Sequence, residues 1–157
     1  MTKRFMLDTN AIIEMLHGNC RIIGQIESAG YKNCCISEIT IAELYYGAVK
    51  GGNPKNFKDI EIIQNIFEII PLYPSYEEYA KIRHGLVTKG LAIDTFDMFI
   101  GASAIQNDCV LITHNRKHFE RIPNLRIEDW QDTMFQSKND GETWRRHVKA
   151  LRFTRRT

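Results

Sequence analysis

Short apolar runs along this chain alternate with longer stretches in which apolar residues recur at helical spacing. The first run, at residues 5–7 (FML), is apolar on both faces, which is typical of a strand in a parallel sheet covered by helices. Three further strands are predicted at residues 34–37 (CCIS), 68–73 (EIIPLY) and 109–113 (CVLIT), and LRIEDW at 125–130 is a fifth candidate, at a sheet edge. Strands separated by helical stretches predict an α/β fold with a central, mostly parallel sheet.

Capping residues mark the starts of the first predicted helices. Asn10 is predicted to cap a helix that runs to Leu16, and Ser37 is predicted to cap the helix of EITIAELYYGAV. The sequence GGNP breaks that second helix. Another apolar-rich helix is then predicted from about residue 56 to residue 67.

Two further helices are predicted in the second half of the chain. Ser75 opens the sequence SYEE, a capping box for a helix that ends near Gly90. Asp94 is predicted to cap the next helix, which carries Asp97 in its first turn. Three residues from Asp97, Asp94 could also add negative charge to a site there.

Composition and cysteine content exclude several classes of protein. The 157 residues are 43% hydrophobic and 25% charged, which is ordinary for one globular domain. No apolar run approaches membrane-spanning length and the N-terminal residues do not resemble a signal peptide, so a cytoplasmic protein is predicted. The four cysteines include no C-x-x-C pair, which argues against zinc or redox chemistry.

Charge is distributed unevenly, although the net charge is only +2. Residues 1–130 carry 14 Lys or Arg and 16 Asp or Glu, whereas residues 131–157 carry 7 and 3. The chain is therefore predicted to consist of a domain at residues 1–130 and a basic C-terminal extension at residues 131–157.

Four polar residues are predicted to gather at the carboxyl ends of the strands, where open parallel sheets form their sites. Asp8 follows the first strand and Asn115 the fourth, Glu43 lies two turns into a helix, and Asp97 lies in the first turn of another. Each alone has an ordinary explanation, such as a helix cap, a turn residue or a solvated helix face. Asp8, in particular, either caps the next helix or lies at the mouth of a site that needs negative charge.

Small side chains lie beside two of these acids, which indicates that the acids line a common opening. Thr40 and Gly47 lie on the helix face of Glu43, and Gly101 lies one turn after Asp97, so we expect free space beside both carboxylates. Three carboxylates within ~5 Å would repel by roughly 3 kcal/mol per pair at an effective dielectric of 20. Either one carboxyl group keeps its proton or a cation binds. Ligands that are all oxygen favour Mg²⁺ or Mn²⁺ over zinc, and such a metal suits phosphate substrates.

Four sequence blocks, in this order and spacing, resemble the signature blocks of PIN-domain ribonucleases, and most closely the VapC-type toxins of bacterial toxin–antitoxin pairs. The blocks are FMLDTN, ISEITIAELYYGA, AIDTFDMFIGASAI and VLITHNRKHFERIPNLRIEDW, and the resemblance spans residues 4–130. It implies a three-layer sandwich with helices on both faces of the sheet. It also implies Mg²⁺-dependent (or Mn²⁺-dependent) cleavage of single-stranded RNA, often a tRNA loop.

The resemblance also assigns roles to individual residues and partners to the chain. Asp8 and Asp97 resemble the metal-binding aspartates, and Glu43 resembles the third acid, which acts on the metal-bound water. Asn115 stands where many PIN domains have a fourth aspartate. Because an amide is a weaker metal ligand than a carboxylate, the resemblance does not extend to a second tightly bound metal. A VapB-like antitoxin that inserts a basic side chain among the acids, and a homodimer, are implied in the same way. Asn10 is then left to cap the helix.

Three alternatives to a PIN-domain ribonuclease differ in the residues that they need. A haloacid-dehalogenase-type phosphatase needs a second aspartate two residues after the first, where this chain has Asn10. A receiver domain would need an aspartate and a distant lysine that the LITHN segment does not offer. A PIN scaffold that binds RNA or a protein without cutting stays open as the alternative, although such modules usually lose acidic residues.

The C-terminal extension lies beyond the resemblance. Trp144, Val148 and Leu151 are spaced as one helical stripe, and cations fill the other faces. Either the extension is a solvated terminus, or it docks by this stripe and offers cations to RNA, with four candidate residues: Arg145, Arg146, Lys149 and Arg152. Under the second reading, deletion of residues 141–157 should weaken RNA binding and reduce the log–log salt slope by on the order of 2–3 units.

Overall fold

Five parallel strands form the central sheet of the computed structural model, which describes residues 2–131 and 144–149. The strands are β1 (Arg4–Leu7), β2 (Cys34–Ser37), β3 (Glu68–Ile70), β4 (Cys109–Ile112) and β5 (Ile127–Glu128). Their order across the sheet is β3-β2-β1-β4-β5, and every neighbouring pair is parallel. All five predicted strands are therefore confirmed, including the two-residue β5 at the edge.

Seven α-helices and two short 3₁₀ helices, Tyr31–Asn33 and Tyr73–Ser75, connect the strands in residues 2–131. The α-helices are named in chain order. They are α1 (Thr9–Leu16), α2 (Cys20–Ala29), α3 (Glu38–Gly51), α4 (Pro54–Ile66), α5 (Tyr76–Thr88), α6 (Thr95–Gln106) and α7 (Arg116–Phe119). Of these, α2 and the four-residue α7 were not predicted. Helix α2 begins at the cap Asn19, whose side chain accepts hydrogen bonds from the backbone N–H groups of Arg21 and Ile22. None of the helices in the described residues is long and apolar enough to cross a membrane.

The sheet separates two hydrophobic cores, because successive side chains of a strand point to opposite faces. Met6 belongs to one core and Leu7 to the other, and Cys35 and Ile36 divide in the same way. The core on the Leu7 side includes buried residues of α1 to α4, and the core on the Met6 side includes those of α5 to α7. The predicted three-layer sandwich is thus confirmed.

One predicted helix cap is wrong, and a second lacks the expected side-chain hydrogen bond. Asp8, and not Asn10, is the N-cap of α1: its side chain accepts a hydrogen bond from the backbone N–H of Thr9. Asn10 lies inside the first turn, and its side-chain oxygen accepts instead from the backbone N–H of His114, at 3.4 Å. Ser75 is the N-cap residue of α5, as predicted, but its side chain makes no capping bond and its hydroxyl donates instead to the carbonyl oxygen of Leu72.

Part of the C-terminal extension packs against the domain. Residues 144–149 are helical, and Trp144 and Val148 are buried in the Leu7-side core, as the apolar stripe predicted. The third residue of the stripe, Leu151, and the candidate RNA contact Arg152 lie outside the described residues. The division at residue 130 stays a prediction, and the structure adds that residues 144–149 pack on the domain through Trp144 and Val148.

Candidate active site

Asp8 is fixed at the end of β1 by two hydrogen bonds. Its Oδ1 accepts from the backbone N–H of Thr9 at 2.8 Å, and its Oδ2 accepts from the hydroxyl of Thr113 at 2.7 Å. Only 4% of Asp8 is exposed. Burial raises the pKa of Asp8 from 3.8 to about 6, although both hydrogen bonds oppose this rise, and the charges of Asp97 and Glu43 add to it.

Glu43 lies on α3 and is linked to Asp8 through Thr9. The Thr9 hydroxyl donates to Oε1 of Glu43 at 2.7 Å, and it lies 3.2 Å from the hydroxyl of the buried Thr40. Burial raises the pKa of Glu43, the bond from Thr9 opposes the rise, and the charges of Asp97 and Asp94 add to it. Glu43 is therefore a partly buried carboxylate of the acidic site and not a solvated face residue.

Asp97 lies in the first turn of α6. The N-cap of this helix is Asp94, whose side chain accepts a hydrogen bond from the backbone N–H of Phe96. Burial raises the pKa of Asp97, the contact with His118 opposes the rise, and the charge of Asp94 adds to it. Asp94 thus caps α6 and also increases the negative charge of the site, as its spacing suggested.

Asn115 and His118 form the side of the site next to Asp97. Nδ1 of His118 lies 3.4 Å from Oδ2 of Asp97 and 2.9 Å from Nδ2 of Asn115. The backbone N–H of Asn115 donates to the hydroxyl of Thr113, the same hydroxyl that donates to Asp8. Asn115 is therefore connected to both aspartates, through His118 on one side and Thr113 on the other.

Three side chains with clear roles in this arrangement were missed from the sequence: Thr9, Thr113 and His118. Each is the hydrogen-bond or charge partner of a predicted acid. Thr9 follows Asp8 directly, so its proximity to that residue could have been expected. His118 is separated from Asp97 by 21 positions and reaches it only because α7 packs beside α6.

The expected space beside the acids is present on α3 but not on α6. A Cβ added at Gly47 meets no atom within 4 Å, so this face of α3 is open. A Cβ added at Gly101 would lie 2.6 Å from Cδ1 of Ile122. Gly101 therefore permits close packing of α6 against the segment after α7, and does not leave room for a ligand of Asp97.

The donor set fits a hard divalent cation. The three acids, Asp8, Glu43 and Asp97, supply only oxygen atoms, and each pKa is raised in part by neighbouring negative charge, which a cation would offset. Within residues 2–131 and 144–149, however, no three acidic, histidine or cysteine side chains are grouped closely enough to enclose an ion by themselves. This arrangement fits Mg²⁺, which usually keeps several waters and takes one or two carboxylates.

Comparison with known proteins identifies the family. A family model described as PIN domain matches residues 5–125. The chain is 33% identical to the tRNA(fMet)-specific endonuclease VapC of Salmonella typhimurium over 132 residues, which cover 81% of this chain and 98% of that protein. It is also 33% identical to Ribonuclease VapC2 of Haemophilus influenzae over 130 residues, with the same shares covered.

Solved structures agree with this assignment. A chain in the crystal structure of VapBC2 from Rickettsia felis, bound to a DNA fragment from its promoter, matches with a TM-score of 0.72 and 33% identity. The match covers 81% of this chain and 98% of that one. DNA-bound VapBC from Salmonella typhimurium matches with a TM-score of 0.72 and 31% identity, over 82% and 98% of the two chains. This chain belongs to the PIN-domain family and, within it, to the VapC-type proteins.

Proposed function

We propose that this chain is a metal-dependent endoribonuclease toxin that cleaves single-stranded RNA, with a tRNA loop as its target. The observation that carries the proposal is the placement of Asp8, Glu43 and Asp97 at one edge of the sheet, where the charge of Asp97 raises the pKa values of Asp8 and Glu43. The similarity to VapC ribonucleases supports the reaction class. The similarity to a tRNA(fMet)-specific endonuclease supports the choice of tRNA.

Asp8 and Asp97 are the residues that would hold Mg²⁺ or Mn²⁺. When bound, the metal would polarise a phosphoryl oxygen and lower the pKa of a water molecule. Glu43 takes a proton from the attacking water, for which its raised pKa is suited. The Thr9 hydroxyl holds Oε1 of Glu43, which leaves Oε2 to receive that proton. Asn115 offers a neutral amide beside His118, the partner of Asp97, so it orients groups in the site without adding charge.

The antitoxin and the second copy of the chain belong to the same proposal. Several structures similar to this chain are complexes named VapBC, which supports a VapB-like antitoxin as its partner. The exposed apolar side chains of α3 and α4, Tyr45, Tyr46, Val49 and Phe57, are suited to an amphipathic partner helix. A homodimer is proposed by analogy with the family, and light scattering of the purified protein tests it.

RNA cleavage with and without Mg²⁺ tests the proposed reaction. Total RNA is incubated with the protein, new 5′ ends are mapped, and Asp97→Asn serves as the matched variant because it removes one charge without a change of shape. We expect cleavage at a few tRNA positions in Mg²⁺, none in EDTA and none with Asp97→Asn. Equal cleavage by Asp97→Asn and wild type would overturn the role of Asp97. RNA binding without any cleavage would favour the non-catalytic PIN scaffold.

Asp8→Asn and Glu43→Gln separate the roles within the site. Asp8→Asn should abolish cleavage, as Asp97→Asn does, because both aspartates are assigned to the metal. Glu43→Gln should lower the turnover number more than the affinity for Mn²⁺, because it removes the proton acceptor and leaves both metal ligands in place. A Glu43→Gln variant with normal turnover would exclude Glu43 as the base.

A further inference from the structure

A cavity of about 380 Å³ opens beside Glu43, between helices α1, α3 and α4. Glu43 itself lines the cavity, so it is continuous with the carboxylate site. Ile13, Leu44 and Ile60 provide an apolar wall. A volume of this size falls in the range of small-molecule pockets, and it is large enough to hold one nucleotide.

Two cations, Lys55 and Arg145, also line this cavity. Lys55 lies in the first turn of α4 and is exposed, whereas Arg145 comes from the helical segment 144–149. The carboxylates of the acidic site would repel an approaching phosphate, and these two cations are placed to offset that repulsion. The cavity therefore combines an apolar wall with two cations and two carboxylates, Glu43 at the side of the acidic site and Asp59 paired with Arg145.

Arg145 is held in position and still accessible. Its Nη2 lies 3.1 Å from Oδ2 of Asp59, and the side chains of Arg145 and Asp59 are 39% and 11% exposed. Burial of Trp144 and Val148 anchors the segment on either side of this contact. A guanidinium carries five N–H donors, so Arg145 can bind Asp59 on one side and a phosphate on the other.

We infer that this cavity binds one nucleotide of the RNA substrate next to the cleaved bond. The base lies against Ile13, Leu44 and Ile60, and the phosphate meets Lys55 and Arg145. This inference rests on the proposed RNA cleavage and names a subsite for it. The family model matches only residues 5–125, so Arg145 gives this chain a contact from outside the matched domain.

Filling the cavity tests the subsite without touching the acids. Gly47 lines the cavity, and leucine at Gly47 would occupy part of its volume. Gly24 on α2 is the matched control, because it is also an exposed helical glycine whose added Cβ meets no atom within 4 Å. Leucine favours a helix over glycine at both positions, so both variants should fold.

The probe is a fluorescent single-stranded RNA hexamer, with Ca²⁺ in place of Mg²⁺ to slow cleavage. We expect Gly47→Leu to weaken binding at least tenfold and Gly24→Leu to leave it within twofold of wild type. Hexamer binding by Gly47→Leu as tight as wild type would overturn the subsite. So would a Gly47→Leu protein that loses antitoxin binding but keeps RNA binding, because the cavity would then be a protein-docking site.

Charge variants test the phosphate contact separately. The first variant is Lys55→Gln. The second combines Arg145→Gln with Asp59→Asn, so that no buried carboxylate is left unpaired. Each should lower the log–log salt slope of hexamer binding by about 0.7. Unchanged slopes would overturn the phosphate contact.

Failure of the subsite and failure of the proposed cleavage give different results. One result would support the subsite and refute cleavage: the wild-type protein binds the hexamer but does not cut RNA in Mg²⁺, and Gly47→Leu loses hexamer binding. Cleavage by Gly47→Leu with wild-type KM and kcat would retain cleavage and refute the subsite.

Discussion

The hydroxyl of Thr113, just after β4, donates a 2.7 Å hydrogen bond to Oδ2 of Asp8, just after the neighbouring β1. The pairing of Leu7 with Ile112 sets the register that brings the two side chains together. Even with this bond and the one from Thr9, burial raises the pKa of Asp8 to about 6. Two hydrogen bonds thus hold Asp8 in a buried position that disfavours its ionised form. A bound cation would offset this effect.

Asp8→Asn should stabilise the metal-free protein above pH 6. Because the pKa of Asp8 is about 6 in the folded protein and ordinarily 3.8, the folded state binds this proton more tightly between those pH values. The free energy of unfolding therefore falls as the pH rises from 3.8 through 6, by about 3 kcal/mol at most. Thermal unfolding in EDTA should show Asp8→Asn above wild type at pH 8 and equal to it near pH 4.

Mg²⁺ provides the control for this prediction. A ligand that binds only the folded state raises its stability, so Mg²⁺ should raise the unfolding temperature of wild type more than that of Asp8→Asn. Equal unfolding temperatures of the two proteins at pH 8 in EDTA would show that ionised Asp8 is not costly.

His118→Ala should shift the acid limb of the pH–rate profile to higher pH. The contact with His118 lowers the pKa of Asp97 against the effect of burial, so removing the imidazole raises this pKa further. In the proposed mechanism Asp97 binds the metal only in its ionised form, so cleavage by the variant should need a higher pH. His84→Ala, at an exposed position of α5, is the control and should leave the profile unchanged. A uniform loss of rate at every pH would indicate a role for His118 other than setting this pKa.

Local sequence rules predicted the strands and the acids better than they predicted how the acids are held. Asp8 and Asp97 follow from a strand end and a helix start. Asn10 is an equally good cap by type, but tertiary contacts direct its side chain to His114, and Asp8 serves as both cap and site residue. His118 could not be predicted, because its distance from Asp97 depends on how α6 and α7 pack. Gly101 was wrongly predicted to leave free space beside Asp97. That space is filled by Ile122, which lies 21 positions away in the sequence.

Gly101→Ala should destabilise the fold, although alanine is the better helix former. The added Cβ would lie 2.6 Å from Cδ1 of Ile122, so the buried packing must shift, at a cost of about 1–3 kcal/mol. Urea unfolding measures this loss. Ile122→Val removes the clashing methyl group, so Gly101→Ala with Ile122→Val should lose less than the sum of the single changes.

Gly85→Ala on α5 is the matched control for Gly101→Ala. An added Cβ at Gly85 meets no atom within 4 Å, and this variant should gain stability from the helix propensity of alanine. A Gly101→Ala protein as stable as Gly85→Ala would contradict the close packing of α6 against Ile122.

Trp144→Ala should destabilise the whole domain, even though the family match ends at residue 125. Trp144 is fully buried in the Leu7-side core, and removing a buried tryptophan costs about 3–5 kcal/mol. Its indole N–H has no hydrogen-bond partner among the described residues, so Trp144→Phe should cost less than Trp144→Ala. Urea unfolding should give this order, with the exposed Lys149→Ala close to wild type.

Deletion of residues 141–157 removes Trp144 together with the basic residues, so weaker RNA binding by the truncated protein would partly reflect a destabilised fold. An unfolding free energy of Trp144→Ala equal to that of Lys149→Ala would mean that 144–149 does not complete the core, and the deletion would then report on charge alone.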